Sequence, residues 1–139
     1  HFTAWQDDTG VRTKAHVLAN LHAQDEQIVD ARGAARWSGA EADPRPGIAS
    51  GHIPGSLNVP FTSLYNADGT FKDKAGIKAA FEGAGVDLAR PITTSCGSGV
   101  TACVLLFGLH LIGKDDTALY DGSWTEWGAD PDTPKAVKA

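Results

Sequence analysis

The chain has two cysteines, and the surroundings of Cys96 have the residue types needed for nucleophilic chemistry. Residues 92–95, which precede it, are mostly β-branched and are bounded by Pro91, a pattern typical of a short buried strand. Residues 100–112 form an apolar run of helical length. Cys96 therefore lies where a predicted strand turns into a predicted helix.

The segment between this strand and this helix can stabilise a negative charge on sulfur. Gly97 and Gly99 allow backbone conformations that other residues avoid, so that amide N–H groups can converge on one point. The helix that begins near Val100 directs its positive end at the same point. Because a thiolate is stabilised there, the sequence predicts that Cys96 is a nucleophile.

The two cysteines are not expected to form a disulfide bond. Since a helix begins between them, Cys96 and Cys103 are predicted to lie about 10 Å apart, which is farther than a disulfide bridges. Cys103 lies within the apolar run and is predicted to be a buried structural residue. The sequence has no CxxC pair and no Cys/His quartet, so it implies no metal site. Free cysteines favour a reducing, cytoplasmic location.

Two chemistries use a cysteine in such a loop. A cysteine-dependent phosphatase needs an arginine at the sixth position after the cysteine, where it holds the phosphate oxygens. This chain has Ala102 at that position and no charged residue in the loop, which argues against a phosphatase. Sulfur transfer, in which Cys96 holds a sulfur atom as a persulfide, needs only a small set of N–H donors. The loop therefore favours sulfur transfer.

Length and charge exclude several other classes of protein. A chain of 139 residues is long enough for one domain with a sizeable core. Its net charge of −5 argues against nucleic acid or an anionic membrane as a partner. The apolar run over 102–112 has about half the length that a bilayer requires.

Predicted strands and helices alternate along the chain. The strands are predicted over 2–5, 27–31, 57–59, 92–95 and 117–120, and the helices over 13–23, 34–38, 74–82 and 100–112. This alternation predicts an α/β fold with a central, mainly parallel, five-stranded sheet flanked by helices on both faces. Ligands bind beyond the carboxyl ends of such strands, where Asp30, Cys96 and Asp121 fall. The domain is predicted to span 1–130, and residues 131–139 to form a flexible tail.

Four stretches of the sequence are similar to the rhodanese superfamily. The loop CGSGVTA resembles the active loop of the branch that uses 3-mercaptopyruvate, whereas the thiosulfate-preferring branch tends to have basic residues in place of Gly97 and Ser98. The stretches VDAR, SGHIPGSLNVPF and DGSWTEW resemble shared features of the superfamily. The resemblance covers residues 2–127 and implies a single rhodanese-like domain. It also implies that this domain corresponds to the second, catalytic half of a two-domain protein.

The resemblance implies roles for individual residues. The stretch ARWSGAEADPRPG maps Arg36 and Arg45 onto two arginines that bind the carboxylate and the keto oxygen of the substrate. Planar guanidinium groups suit such oxygens because they form charge-assisted hydrogen bonds. Ser98 maps onto a catalytic serine. The sulfur is then held by the backbone of the other loop residues: Gly97, Gly99, Val100 and Thr101.

Other residues in these motifs are predicted to be structural. Arg32 is expected to tie the long loop over 39–56 to a neighbouring carboxylate or carbonyl. His52 is expected to be a hydrogen-bonding residue of the same loop. Trp124 and Trp127 are expected to pack against the cysteine loop rather than to bind a substrate.

The function that the resemblance implies is that of a sulfurtransferase. Cys96 would take sulfur from 3-mercaptopyruvate, or from thiosulfate as the second choice, and 3-mercaptopyruvate would leave as pyruvate. Cyanide, a small thiol or a thioredoxin-like protein would then remove the sulfur from the persulfide, without a metal or an organic cofactor. The alternative is a rhodanese module that carries persulfide sulfur for a protein partner, or binds that partner, and turns over no small molecule.

Overall fold

Five strands of the described chain form one sheet, and every neighbouring pair is parallel. The structure, a computed structural model, describes residues 10–138. The strands are β1 Val11–Arg12, β2 Gln27–Asp30, β3 Leu57–Asn58, β4 Ile92–Ser95 and β5 Thr117–Tyr120. They lie in the order β1-β5-β4-β2-β3, which confirms the predicted parallel α/β sheet. The strand predicted over 2–5 lies outside the described residues, and β1 forms the edge of the sheet.

Five α-helices lie within the described residues. They are α1 Lys14–Ala23, α2 Ala34–Ser38, α3 Lys74–Gly83, α4 Ala102–Leu111 and α5 Ser123–Trp127, and a short 3-10 helix covers Phe61–Leu64. The first four agree closely with the predicted helices. The sequence predicts no helix at α5, because so short a segment shows no helical period. No helix of the described part is long and apolar enough to cross a membrane.

Side-chain caps fix where two of these helices begin. The Thr13 hydroxyl accepts the His16 backbone N–H at 3.2 Å, and the His16 ring accepts the Thr13 backbone N–H at 3.1 Å. At the start of α3, the Asp73 carboxylate accepts the Gly76 N–H at 2.8 Å. Such caps contribute about 0.5–2 kcal/mol each, so they help to set the register of the helices on the sheet.

The sheet has an apolar cluster on each face, because adjacent residues of β2 point to opposite sides. On one face, α3 and α4 cover a cluster that includes Val29, Phe81, Ile92 and Leu105. On the other face, α1 and α5 cover a cluster that includes Val17, Ile28, Tyr120 and Trp124. Burial of a side chain such as Leu105 contributes about 1.5–3 kcal/mol. Helices therefore flank both faces, as predicted.

Arg32 ties the loop over 39–56 to the end of β2, as the sequence predicts. It forms a buried ion pair with Asp30, in which Nη2 lies 2.9 Å from Oδ2. The same nitrogen donates to the Gly51 carbonyl at 2.7 Å, and the guanidinium lies 4.7 Å from the centroid of the Trp124 ring. Removing one partner of such a pair leaves an unpaired buried charge, which costs about 3–5 kcal/mol. The long loop is therefore held firmly at its centre.

Residues 131–138 run back along this loop; that residues 131–139 form a flexible tail stays a prediction. The backbones of His52 and Ala136 exchange two hydrogen bonds, of 2.8 and 2.9 Å. The Pro134 carbonyl accepts the indole N–H of Trp127 at 2.8 Å. These partners are far apart along the chain or lie in an irregular segment, so no local pattern reveals their pairing.

Gly51 allows the chain end to approach the loop closely. Its φ is +111°, and a Cβ at this position would lie 2.3 Å from the Ala136 carbonyl oxygen. Both the backbone conformation and the space therefore require glycine.

Candidate active site around Cys96

Cys96 follows the last residue of β4, at the carboxyl edge of the sheet. Its backbone is held by α5: its N–H donates to Ser123 Oγ at 3.1 Å, and its carbonyl accepts the Trp124 N–H at 2.8 Å. The Ser123 hydroxyl donates to the Tyr120 carbonyl at 2.9 Å. The segment that follows β5 therefore fixes the cysteine at the end of the neighbouring strand.

The Cys96 thiol is fully buried, and an amide of the loop contacts it. The Gly99 N–H donates to Sγ at 2.9 Å. Gly99 has a φ of +94°, and a Cβ there would lie 2.9 Å from the Asp121 carbonyl oxygen, so another residue would strain the loop. The geometry gives the sulfur one amide donor. Contacts of Gly97, Val100 and Thr101 with a substrate sulfur stay predictions.

Arg45 lies beside the cysteine loop and is held by Asp43. Its Nη2 is 3.1 Å from the position that a Cβ on Gly97 would take. Asp43 forms a bidentate pair with the guanidinium, with Nε–Oδ1 and Nη2–Oδ2 distances of 2.9 and 2.8 Å. Asp43 Oδ1 also accepts the Arg45 backbone N–H at 2.9 Å. The Asp43 side chain is 1% exposed and that of Arg45 is 36% exposed, so a buried carboxylate anchors an accessible guanidinium.

Thr125 of α5 links Arg45 to the loop. Arg45 Nη1 donates to the Thr125 hydroxyl, which in turn donates to the Gly97 carbonyl. The same carbonyl accepts the Thr125 backbone N–H at 2.8 Å. Each terminal nitrogen of a guanidinium carries two N–H groups, and the described contacts engage one on each. Nη1 and Nη2 therefore each keep an N–H for a ligand.

The pairing shifts the acidity of both groups in the direction that keeps them charged. The side-chain hydrogen bond from Arg45 is the main cause of a lowered pKa of Asp43, and it outweighs the opposing effect of burial. The pKa of Arg45 is raised, first by the hydrogen bond to Asp43 and to a smaller extent by the negative charge of an ionised Cys96. At neutral pH the pair is therefore a carboxylate and a guanidinium, with Cys96 within electrostatic reach.

Arg36 occupies a different position from Arg45. Its Nη2 lies 3.1 Å from Glu41 Oε1, and its side chain is 34% exposed. Its positive charge contributes to the lowered pKa of Asp43, after the larger effects of Arg45 and burial. Among the described contacts, Arg45 lies against the cysteine loop, whereas Arg36 pairs with the exposed Glu41.

The outer side of the loop is formed by residues that face solvent. Ser98 is exposed, the Val100 side chain is 71% exposed, and Thr101 is half-buried. The predicted catalytic hydroxyl of Ser98 is thus accessible and lies two residues from the sulfur nucleophile. Its role in catalysis stays a prediction.

Cys103 is exposed, and the prediction that it is buried is wrong. The buried positions of α4 are Ala102, Leu105, Gly108 and Leu109. They recur at helical spacing and leave Cys103 on the other side. Because the run is apolar on all sides, its periodicity could not show which side faces the core. Both cysteines are free, as predicted.

His52 has structural contacts, as predicted, whereas the tryptophan rings belong to the cluster with Val17 and Ile28, and their packing against the cysteine loop stays a prediction. The His52 Nδ1 lies 2.7 Å from the Trp37 carbonyl oxygen, and its ring stacks on the Trp37 ring at a centroid distance of 4.0 Å. Trp124 and Trp127 are buried. The Trp124 indole N–H donates to the Ala49 carbonyl at 2.7 Å. The contacts of His52 tie the long loop to α2, and that of Trp124 ties it to α5.

The sequence analysis did not identify three residues that shape this site: Asp43, Ser123 and Thr125. An aspartate two residues before an arginine is a known turn pattern and could have pointed to Asp43. The contact between Thr125 and Arg45 spans 80 positions of the chain, so no local signal could have shown it.

Fold and site together define a class of protein. Within residues 10–138, no group of His, Cys, Asp and Glu side chains is arranged to hold a metal ion. The site instead presents a buried thiol, an amide donor to its sulfur, and a paired guanidinium at the carboxyl edge of a parallel sheet. This arrangement is that of an α/β domain with a buried cysteine beside a guanidinium that can hold an anionic group.

The family follows from comparison with known proteins. Residues 13–130 match the model of the Rhodanese-like domain. The chain therefore belongs to the rhodanese family, as the sequence motifs predict.

Two curated relatives show the degree of similarity. The chain is 47% identical over 126 residues to 3-mercaptopyruvate sulfurtransferase of Mus musculus, which aligns 91% of this chain with 42% of that protein. It is 45% identical over 124 residues to thiosulfate/3-mercaptopyruvate sulfurtransferase 1, mitochondrial, of Arabidopsis thaliana, with 89% and 33% covered. The chain thus spans less than half the length of these relatives.

A solved structure gives the same picture. The crystal structure of SseA from Escherichia coli, a 3-mercaptopyruvate sulfotransferase by its description, aligns with a TM-score of 0.73 and 41% identity. The alignment covers 89% of this chain and 45% of the SseA chain.

Proposed function

We propose that this chain transfers a sulfane sulfur from 3-mercaptopyruvate, through a persulfide on Cys96, to a thiophilic acceptor. The observation that carries the proposal is the Gly99 N–H on the buried Cys96 Sγ, with the Arg45 guanidinium beside Gly97. A thiolate in this place is oriented by a fixed donor and lies next to a cation that can hold a carboxylate or a keto oxygen. The similarity to curated mercaptopyruvate sulfurtransferases supports the choice of donor.

In the first half-reaction the Cys96 thiolate attacks the thiol sulfur of 3-mercaptopyruvate. A new S–S bond forms, the C–S bond breaks, and its electron pair passes to carbon to give the enolate of pyruvate. The enolate takes up a proton and leaves as pyruvate. The accessible N–H groups of Arg45 hold the keto oxygen, Arg36 holds the carboxylate from the solvent side, and the Ser98 hydroxyl donates to the oxygen on which charge develops.

In the second half-reaction the acceptor attacks the outer sulfur of the persulfide. The S–S bond breaks, its electron pair returns to the Cys96 sulfur, and the thiolate is restored. Cyanide, a small thiol or a thioredoxin-like protein can act as the acceptor, and thiosulfate can replace 3-mercaptopyruvate as a slower donor. Neither half-reaction needs a metal or an organic cofactor.

The proposal includes a partner for this domain and a location. The chain spans 42% of its mouse relative. We assign it to the catalytic half of a two-domain protein, in which a preceding rhodanese domain completes the substrate site. The reaction is placed in the cytoplasm, because a thiolate nucleophile and a second free cysteine both suit a reducing compartment.

The proposal is tested by intact-mass measurement after the chain has been exposed to 3-mercaptopyruvate. Wild type should gain one sulfur atom and release one equivalent of pyruvate. Cys96→Ser should gain none, whereas Cys103→Ser, a matched change at the exposed cysteine, should behave as wild type. A sulfur adduct on Cys96→Ser would overturn the assignment of the nucleophile.

A persulfide-carrying module is the second candidate, and the same experiment separates it from the enzyme. The Gly99 N–H on the buried Cys96 Sγ favours it equally, because this contact would hold a persulfide whichever donor supplied the sulfur. If Cys96 accepts sulfur from a persulfide donor but neither this chain nor the two-domain protein releases pyruvate from 3-mercaptopyruvate, the carrier function replaces the enzymatic one.

A further inference from the structure

The charges around the cysteine loop cancel in pairs. Arg45 is held by the Asp43 carboxylate, and Arg36 lies beside Glu41. The carboxylate of Asp121 adds a negative group near the loop, since its Oδ1 would lie 3.6 Å from a Cβ on Gly99. The loop segment CGSGVT has no charge of its own. The described surroundings of the sulfur therefore offer guanidinium hydrogen bonds with little net positive charge.

The Asp43 carboxylate supplies the largest part of this cancellation at the loop. Its side chain is 1% exposed, and its two oxygens accept Nε and Nη2, so its charge lies directly against the guanidinium. An uncharged oxygen could accept the Arg45 backbone N–H equally well. The turn from Asp43 to Arg45 therefore does not require the negative charge of Asp43. The net positive charge at the site, by contrast, depends on it.

We propose that Asp43 is a specificity-determining residue, which offsets the charge of Arg45 and so makes the site select singly charged sulfur donors over doubly charged ones. This inference rests on the proposed sulfur transfer. 3-Mercaptopyruvate carries one carboxylate, whereas thiosulfate is a dianion. Beside the loop, the two arginines described within residues 10–138 are both paired with carboxylates, so its second charge meets no free guanidinium there. With Asp43 neutral, Arg45 would act with its full charge and would attract the dianion more strongly.

The first experiment compares both donors in the Asp43→Asn chain. Asparagine keeps an oxygen for the Arg45 backbone N–H and Nε, removes the charge, and replaces the oxygen that accepts Nη2 by an amide NH2. We expect kcat/KM for thiosulfate to rise roughly three- to tenfold above the wild-type value. The kcat/KM for 3-mercaptopyruvate should stay at the wild-type value or fall. The gain should shrink at high salt, because screening weakens attraction at an accessible guanidinium. Asp43→Glu, which keeps the charge, should retain the wild-type ratio of the two donors.

Asp116→Asn is the matched control. It makes the same change of charge, but Asp116 precedes β5 at the amino edge of the sheet, where it pairs with Lys114 at 2.6 Å. The donor ratio of this variant should equal that of wild type. Thermal unfolding of each variant checks that the fold is retained, and Asp43→Ser, which also offers an oxygen to the Arg45 amide, replaces Asp43→Asn if asparagine prevents folding.

A second readout does not depend on sulfur transfer. In a Cys103→Ser background, the rates at which Cys96 reacts with iodoacetate, an anion, and with neutral iodoacetamide report the charge at the sulfur. Asp43→Asn should raise the iodoacetate-to-iodoacetamide rate ratio by the same roughly three- to tenfold factor. A chain that forms no Cys96 persulfide with either donor would refute the proposed function but would still show this shift. The role of Asp43 would be overturned if Asp43→Asn left kcat/KM for thiosulfate unchanged or lowered it. An unchanged iodoacetate-to-iodoacetamide rate ratio in this variant would overturn it as well.

Discussion

Replacement of Gly99 by alanine tests whether the amide on the sulfur stabilises the reactive thiolate. The residue has a φ of +94°, a conformation that costs an L-residue about 1–2 kcal/mol. The added Cβ would also lie 2.9 Å from the Asp121 carbonyl oxygen, which belongs to the backbone and cannot rotate away. The loop must therefore shift, and the 2.9 Å hydrogen bond from Gly99 N–H to Cys96 Sγ is the contact that this shift breaks.

The size of the effect follows from the lost hydrogen bond. A hydrogen bond to a charged group contributes about 1.5–3 kcal/mol, and each 1.4 kcal/mol is about tenfold in rate. We therefore expect Gly99→Ala to lower kcat/KM for 3-mercaptopyruvate roughly 10- to 150-fold. A rapid-quench assay read by intact mass should show the same loss in the rate of persulfide formation, because the first half-reaction uses the thiolate.

Gly69→Ala is the matched control for backbone strain. Gly69 has a φ of +87° and nothing within 4 Å of an added Cβ, so it carries a similar conformational cost far from the sulfur. It should lose the free energy of unfolding that backbone strain alone costs, which is less than the loss in Gly99→Ala, and keep wild-type kcat/KM. If Gly99→Ala keeps wild-type kcat/KM while its stability falls, the Gly99 amide does not support the thiolate and the reasoning is refuted.

Two further predictions concern the rim and the long loop. Arg36→Ala should reduce kcat/KM for 3-mercaptopyruvate roughly tenfold, mainly through KM, because a partly exposed guanidinium contributes to the binding of a carboxylate. The loss of kcat/KM for thiosulfate should be smaller. Steady-state assays with both donors check this prediction, and equal losses for the two donors would contradict it. Gly51→Ala should lower the free energy of unfolding by roughly 2–4 kcal/mol, because its Cβ would meet the Ala136 carbonyl oxygen. Urea denaturation checks this against Gly47→Ala, which has a positive φ but open space, and equal losses in the two variants would show that the contact is harmless.

The parts of the fold that the sequence predicts are those with a strong local signal. The β-branched run over 92–95 gives β4, and the glycines around Ser98 give the loop after it. Cys103 was placed wrongly because α4 is apolar all round, so a local pattern could not tell its buried side from its exposed side.

The supports of the site could not be predicted because they are contacts between distant segments. Thr125 meets Arg45 only when α5 has folded against the long loop. Asp43 offsets the charge of Arg45 because the Asp43 side chain is buried against it, and the sequence Asp43-Pro44-Arg45 does not reveal this burial. The sequence thus predicts Cys96 as the nucleophile, whereas the structure shows the contacts between distant segments that orient its loop.

The pairing of Ala136 with His52 changes where this domain should be taken to end. The similarity to the family model stops at residue 130, yet the segment beyond it braces the loop that carries Asp43 and Arg45. A chain shortened at residue 130 would keep every family motif and lose that brace. Loss of residues 131–138 would therefore loosen the loop that carries Asp43 and Arg45, and a boundary at residue 130 leaves out part of the packing around that loop.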